Sequence, residues 1–322
     1  MTEMFGNVFR RIGQINFTAE NQVLSLDLPR KNLYRALVLR LTVVDTITTL
    51  GSPVLYANTP AQFLNRIEVI ADGRDTLKSI NARALLFKNF LNYCTYPRRT
   101  VPTPAVGANT WYLTLILPFT VPRSIREADC MLDSGRLSTF ELRLTGGLGA
   151  DFYSTLPTTR AFTSANVEVS LLEAIKLDTK PMNPSVYKEL SIQRQMPSTQ
   201  TEFQLLLPVG NLYRGFLIEA IADKVPVNTV ISEIQIRSGT QVFFKAPWQS
   251  VREANALFQN MESVVFDGYA YVEFCPEGRL VDALDSSKLS QLEAVFTTTL
   301  VGTTDFISVY PDEIIIPVVA QK

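Results

Sequence analysis

The 322-residue sequence predicts an all-β protein in which one domain plan is used twice. Three observations predict this. Two blocks of residues recur, in the same order, in the two halves of the chain. Apolar and polar residues alternate through much of the sequence. A glycine turn followed by a stretch of helical spacing stands at the matching place in each half.

The first repeated block is Leu28-Pro29-Arg30-Lys31-Asn32-Leu33-Tyr34-Arg35, which returns as Leu207-Pro208-Val209-Gly210-Asn211-Leu212-Tyr213-Arg214. Six of its eight positions match without a gap. The second is Leu132-Asp133-Ser134-Gly135-Arg136-Leu137-Ser138, which returns as Leu284-Asp285-Ser286-Ser287-Lys288-Leu289-Ser290. Repeats of this kind point to a duplicated domain. Lys180-Pro181-Met182-Asn183-Pro184 marks the join, because two prolines interrupt strand-like text. The domains are therefore placed at 1–178 and 179–322, the second ending in a tail.

Alternation marks half-buried strands. Leu37, Leu39, Leu41 and Val43 point one way and Val38, Arg40 and Thr42 the other. The same period runs through Ile67 and Val69, Phe140 to Leu144, Val167 to Leu171, and Ile234 and Ile236. Asp72-Gly73 sits between two such runs, and tight hairpins need the positive φ these residues tolerate. Ser238-Gly239 occupies the matching place. Beyond each turn the period changes: Ala84, Phe87 and Leu91 in one half, and Val251, Ala254 and Phe258 after Pro247 in the other, have helical spacing.

Eight strands per half follow, near 9–17, 22–28, 33–44, 64–71, 74–79, 110–120, 137–145 and 165–175, then near 187–195, 201–207, 212–221, 230–237, 240–245, 269–275, 289–297 and 305–315. One helix falls between the fifth and sixth strands each time. Eight antiparallel strands per unit make a two-sheet jelly roll, so the fold class is two tandem jelly rolls.

Composition narrows the function. Thirty basic residues against 31 acidic leave a charge of -1, without the basic surplus that nonspecific nucleic-acid wrapping needs. There is no histidine, which removes the commonest general base and zinc ligand. Cys94, Cys130 and Cys275 have neither zinc spacing nor a disulfide framework and read as three small buried hydrophobes. The N-terminus lacks the apolar stretch of a signal peptide, and no run reaches the ~18 apolar residues of a membrane span. The expectation is a protein made in a cytoplasm.

Two consecutive jelly rolls, each with a helix after its fifth strand, resemble the double jelly-roll major capsid proteins of tailless icosahedral viruses, including bacteriophages with an internal membrane. The resemblance covers about residues 9 to 315. It rests on element order, the duplicated Asn-Leu-Tyr-Arg block and the stretch Asn65-Arg66-Ile67-Glu68-Val69-Ile70-Ala71-Asp72-Gly73. It implies a structural virion protein whose trimers form pseudo-hexagonal blocks that tile a shell, with termini on the inner side and long loops projecting outward. The loops 46–63 and 94–109 are the long ones; 222–229 is short. The partners implied are other copies of the chain, minor capsid and vertex proteins, and the lipids of an internal membrane where one exists, with no specific nucleic acid. The place implied is the virion, after assembly in the host cytoplasm.

No nucleophile–base pair, phosphate loop or metal spacing appears, so no catalytic, cofactor or metal residue is assigned. Asp72, Asp75, Asp133 and Asp285 read as turn formers, and Gly146-Gly147-Leu148-Gly149 as a flexible connection. The candidate subunit or membrane contacts are Arg10, Arg11, Arg35, Arg214, Ile316, Val318 and Val319. Arg35 and Arg214 close the repeated block and could pair with a carboxylate either across a subunit seam or within the subunit. Ile316, Val318 and Val319 flank Pro317, which stops a final strand and sends an apolar tail out of the barrel. The competing readings are a double jelly-roll amidase that processes glycans, which needs clustered carboxylates, and a carbohydrate-binding or spike protein, which needs aromatic residues in loops.

Overall fold

A computed structural model describes residues 5–56, 58–101, 103–124, 130–176, 185–258 and 266–316. They group in two units, drawn from Met1–Val121 with Ala128–Pro184, and from Pro122–Glu127 with Ser185–Lys322. The stretch from Pro122 thus belongs with the second unit although it precedes the join read from the sequence.

The long strands of the first unit are β1 (Phe5–Phe17), β2 (Val23–Asp27), β3 (Leu33–Thr49), β4 (Leu64–Ala71), β5 (Asp75–Ile80), β6 (Gly107–Pro118), β7 (Phe140–Gly146) and β8 (Thr159–Lys176), with helix α1 (Ala82–Tyr93) between β5 and β6. They make two antiparallel sheets. One runs β1-β8-β3-β6, the other β2-β7-β4-β5. First, eighth, third and sixth strands against second, seventh, fourth and fifth is the jelly-roll order.

The second unit repeats it. Its first strand comes in two pieces, β9 (Val186–Glu189) and β10 (Ile192–Met196). There follow β11 (Gln200–Leu207), β12 (Leu212–Ala222), β13 (Ile231–Ser238), β14 (Gln241–Pro247), α2 (Trp248–Phe258), β15 (Tyr269–Glu273), β16 (Leu292–Thr298) and β17 (Asp305–Ile315). Strands β9 and β10 pair with β17, which pairs with β12, which pairs with β15; the other sheet runs β11-β16-β13-β14.

The alternation read in the sequence is the core. Leu37, Leu39 and Leu41 lie opposite Leu117, Leu115 and Leu113 on one side and Leu171, Val169 and Val167 on the other. All nine are fully buried. In the second sheet Leu142 and Leu144, also fully buried, pair with Val69 and Ile67. Each such side chain contributes about 1.5–3 kcal/mol of transfer free energy. The second roll builds its own core from residues such as Phe203, Phe216, Ile218, Ile234, Val272 and Phe296.

The hairpin glycines do what tight turns require. Asp72 and Gly73 have φ of 52° and 72°, and Gly239 has 57°. α1 starts at Ala82, because Ser79 and Ile80 still pair with Glu68 and Ile67 as strand. The Asn81 side chain then accepts from the Ala84 amide at 2.7 Å and caps the helix. Pro247 ends β14, and Trp248 opens α2. The Gly146–Gly149 stretch is packed rather than loose. The Gly147 amide donates to Phe63 O at 2.6 Å, the Gly149 amide donates to Glu20 Oε1 at 2.8 Å, and any Cβ on Gly149 would strike the Arg160 guanidinium.

Candidate functional site

The two repeated blocks meet in space, once in each roll, and form the same corner. In the first roll the short strand Leu132–Asp133 pairs with the start of β3, Leu33 opposite Asp133. The Tyr34 hydroxyl donates to Pro29 O at 2.6 Å, and the Ser134 hydroxyl donates to Asn32 O at 2.7 Å. Asp133 Oδ1 accepts from the Gly135 amide at 3.2 Å. In the second roll Leu284–Asp285 pairs with β12, Leu212 opposite Asp285. The Tyr213 hydroxyl donates to Pro208 O at 2.6 Å, the Ser286 hydroxyl donates to Asn211 O at 2.6 Å, and Asp285 Oδ1 accepts from the Ser287 amide at 2.9 Å. The matched proline, asparagine, tyrosine, aspartate and serine therefore take part in the same bonds in both rolls.

A second duplicated device escaped the sequence reading. Asn89 of α1 donates from Nδ2 to Ile116 O at 2.7 Å and accepts at Oδ1 from the Ile116 amide at 2.6 Å. Asn255 of α2 makes the same pair of bonds to Tyr271, at 2.9 and 2.8 Å. In both rolls the helix thus clamps the backbone of the sixth strand. The signal was present: each asparagine stands 16 residues after its hairpin glycine, 73 to 89 and 239 to 255.

The arginines that close the repeated block part ways. Arg35 donates from Nη1 to Asn7 Oδ1 at 2.7 Å, near the start of β1. Arg214 is 1% exposed and pairs within its own unit, with Glu273 at 3.2 Å and Asp312 at 3.8 Å. Its guanidinium lies over the Tyr271 ring, whose hydroxyl donates to Asp312 Oδ2 at 2.7 Å. Burial alone lowers the Arg214 pKa, but Tyr271, Asp312, Tyr187 and Glu273 outweigh it and hold the group charged. Burial pushes the Tyr271 hydroxyl well up. Of the two pairings open to it, Arg214 makes the one within the subunit: a guanidinium so enclosed needs its carboxylates beside it, and the chain supplies them.

Arg10 and Arg11 lie on the edge strand β1. Arg10 pairs with Glu173 at 2.8 Å, and this bond raises its pKa. Arg11 reaches Glu168 at 3.7 Å and also bonds Gln14. A register shift separates Arg11 from Gly13. Charge and a bulge on an exposed strand edge discourage unwanted pairing. Ile316 follows β17 and is 57% exposed. Val318 and Val319 lie outside the described residues.

The aspartates serve turns. Asp72 accepts from the Ser138 amide and hydroxyl at 2.5 and 2.8 Å, Asp133 pairs with Arg136 at 2.8 Å, and Asp75 lies 3.9 Å from Arg74. Among the described residues no group of three His, Cys, Asp or Glu is placed to hold a metal. Cys130 and Cys275 are buried, as expected, while Cys94, which caps the end of α1 in the left-handed conformation, is exposed.

No protein-family model and no curated protein matches the chain. Solved structures do. The STIV major capsid protein, from Sulfolobus turreted icosahedral virus, superposes with a TM-score of 0.77 at 13% identity over 98% of this chain and 100% of its own. The major capsid protein P2 of bacteriophage PM2 gives 0.61 at 13% identity, over 98% and 100%. A chain of the PBCV-1 virus capsid gives 0.63 at 10% identity, over 98% and 95%. The chain therefore has the double jelly-roll fold of these proteins along essentially its whole length.

Proposed function

We propose that this chain is the major capsid protein of an icosahedral virion and works as a structural subunit without catalysis. One observation carries the reading: both rolls lie in one chain, and the likeness to solved capsid proteins spans 98% of it and all of two of theirs. A subunit with two similar halves can close into a ring of three, giving six rolls with a nearly hexagonal outline. Such blocks tile a flat facet, as six-fold neighbours do. The duplicated corner and the helix clamp support the same reading, since two rolls built alike present like outlines to their neighbours.

In this reading the first partner is another copy of the chain. Minor capsid and vertex proteins, and the lipids of an inner membrane, complete the set, with no specific nucleic acid, in accord with the charge of -1. Assembly takes place in the host cytoplasm. Arg10, Arg11 and Arg35 at the β1 side of the first roll, and Ile316 with Val318 and Val319 after the last strand, are the contacts assigned to assembly. Light scattering of purified protein tests the reading, with three times the 36.0 kDa chain mass as the expected result. Negative-stain images then show hexagonal blocks. A strictly monomeric mass at high concentration overturns it.

A further inference from the structure

We infer that the turn between β2 and β3 of the first roll is a binding site for a single phosphate group. An open cavity of about 910 Å³ lies against this turn, with Arg10, Asp27, Arg30, Lys31, Asn32 and Glu173 in its lining. The Glu173 carboxylate is engaged by Arg10 at 2.8 Å. Arg30 donates from Nη1 to Leu137 O at 3.2 Å and to Ser138 O, which fixes its guanidinium at the mouth. Among the described residues no carboxylate pairs with Lys31. Arg10, Arg30 and Lys31 line one space, and two guanidiniums and an ammonium on one wall suit a tetrahedral oxyanion, which can accept from each at a different oxygen.

The repeat supplies the control. The second roll keeps the same corner, with Pro208, Asn211, Tyr213 and Ser286 in their places, but puts Leu206, Val209 and Gly210 where the first has Asp27, Arg30 and Lys31. Its turn amides are also used up: Gly210 and Asn211 donate to Ser286 Oγ at 3.1 and 3.2 Å. In the first roll Ser134 Oγ bonds Asn32 O, and among the described residues no turn amide donates to it. One scaffold thus carries a charged, open turn in one half and an apolar, closed turn in the other. Backbone amides left over in a turn add to an anion site. Asp27 stands on the same rim and opposes a polyanion, so the ligand is one phosphate group and not a nucleic-acid backbone.

The inference goes beyond the coat reading and does not depend on it, since it concerns one folded chain in solution. The test is calorimetric titration of full-length protein with sodium phosphate, joined to flotation with phosphatidylcholine vesicles that contain or lack phosphatidylglycerol. The wild type binds phosphate, and Arg30→Val with Lys31→Gly, the residues of the second roll, binds about tenfold more weakly with an unchanged melting temperature. Lys31→Glu, an exposed single change, does the same and covers the case in which the double variant folds poorly. Flotation on phosphatidylglycerol that free phosphate competes away, and that the variants lose, identifies a lipid headgroup as the source. Phosphate binding without flotation identifies the free ion. Equal phosphate binding by wild type and variants, or none by the wild type, overturns the site.

Discussion

Tyr34 and Tyr213 make the same bond in different halves of the chain: each hydroxyl donates, at 2.6 Å, to the carbonyl of the proline five residues before it. Both rings are fully buried. The bond fixes the turn that brings the second strand of the roll to the third. It also gives an otherwise costly buried hydroxyl its partner.

Tyr34→Phe and Tyr213→Phe are therefore expected to cost alike, about 1–2 kcal/mol each, because each removes one bond and leaves one carbonyl unsatisfied. The double variant should be additive, since the two corners share no partner. Urea unfolding of the three variants measures this. A silent change at one corner and a large one at the other would show that the two corners are not equivalent in energy, whatever their geometry.

The turn carboxylates make stability depend on acid. The Ser138 amide and hydroxyl hold Asp72 below the usual carboxylate range, the Thr303 hydroxyl and amide do so for Asp223, and the Ser287 hydroxyl and amide for Asp285. A pKa depressed in the folded state means that the stabilisation is complete above the unfolded value of about 3.9 and is lost as pH falls through the folded value. Urea midpoints measured from pH 6 downward should thus stay level and then fall below about pH 4. Asp72→Asn, Asp223→Asn and Asp285→Asn should each flatten that acid limb. An unchanged slope in all three would remove these groups from the account.

The corner was legible from the chain because its residues recur: Leu-Pro, Asn-Leu-Tyr-Arg and Leu-Asp-Ser could be matched by eye, and alternation located the strands between them. What was not legible is what alternation cannot encode. Asp45 stands just past the strand read at 33–44, yet it is fully buried and holds Arg160 at 2.9 Å and the Tyr153 hydroxyl at 2.9 Å, with Glu20 on the same guanidinium at 2.8 Å. The partners are far apart in sequence, and nothing in their spacing pairs them. Glu219 is similar: it accepts from Tyr269 and Tyr310, at 2.7 Å each, on a strand that otherwise reads as apolar. Arg214 matched Arg35 in sequence and not in surroundings, because burial depends on what neighbouring strands contribute, here Glu273 and Asp312.

The cysteines give a chemical readout of the fold. Cys94 is exposed, while Cys130 and Cys275 are buried, and burial pushes the Cys275 thiol up to about 11. Attack on a disulfide reagent needs an accessible thiolate. One thiol per chain should therefore react rapidly in native protein, and three in denaturant. Cys94→Ser should abolish the rapid phase. A native protein that titrates three thiols at once would mean that both rolls open on the timescale of the assay, since Cys130 lies in the first unit and Cys275 in the second.

The last prediction concerns one helical position that the two rolls treat in opposite ways. Asn89 and Asn255 bind the sixth strand alike, so Leu91 and Leu257, two residues further on, are equivalent. Leu91 is 1% exposed and Leu257 is 76% exposed. The first roll covers its helix with the turn Thr59–Gln62, carried by its longer loop; Arg83 of α1 donates to Gln62 Oε1 at 3.1 Å. The matching connection of the second roll, 223–230, is short, so α2 buries Trp248, Val251 and Arg252 and leaves its last turn open. Leu91→Ala should accordingly cost about 2–5 kcal/mol, the range for a leucine removed from a packed site. Leu257→Ala should stay within about 0.5 kcal/mol, as exposed substitutions do. Denaturant unfolding of the dissociated chain measures both. Equal costs would mean that α2 is covered within its own subunit after all. A cost confined to Leu91 would show that of these two equivalent positions only the first belongs to a core.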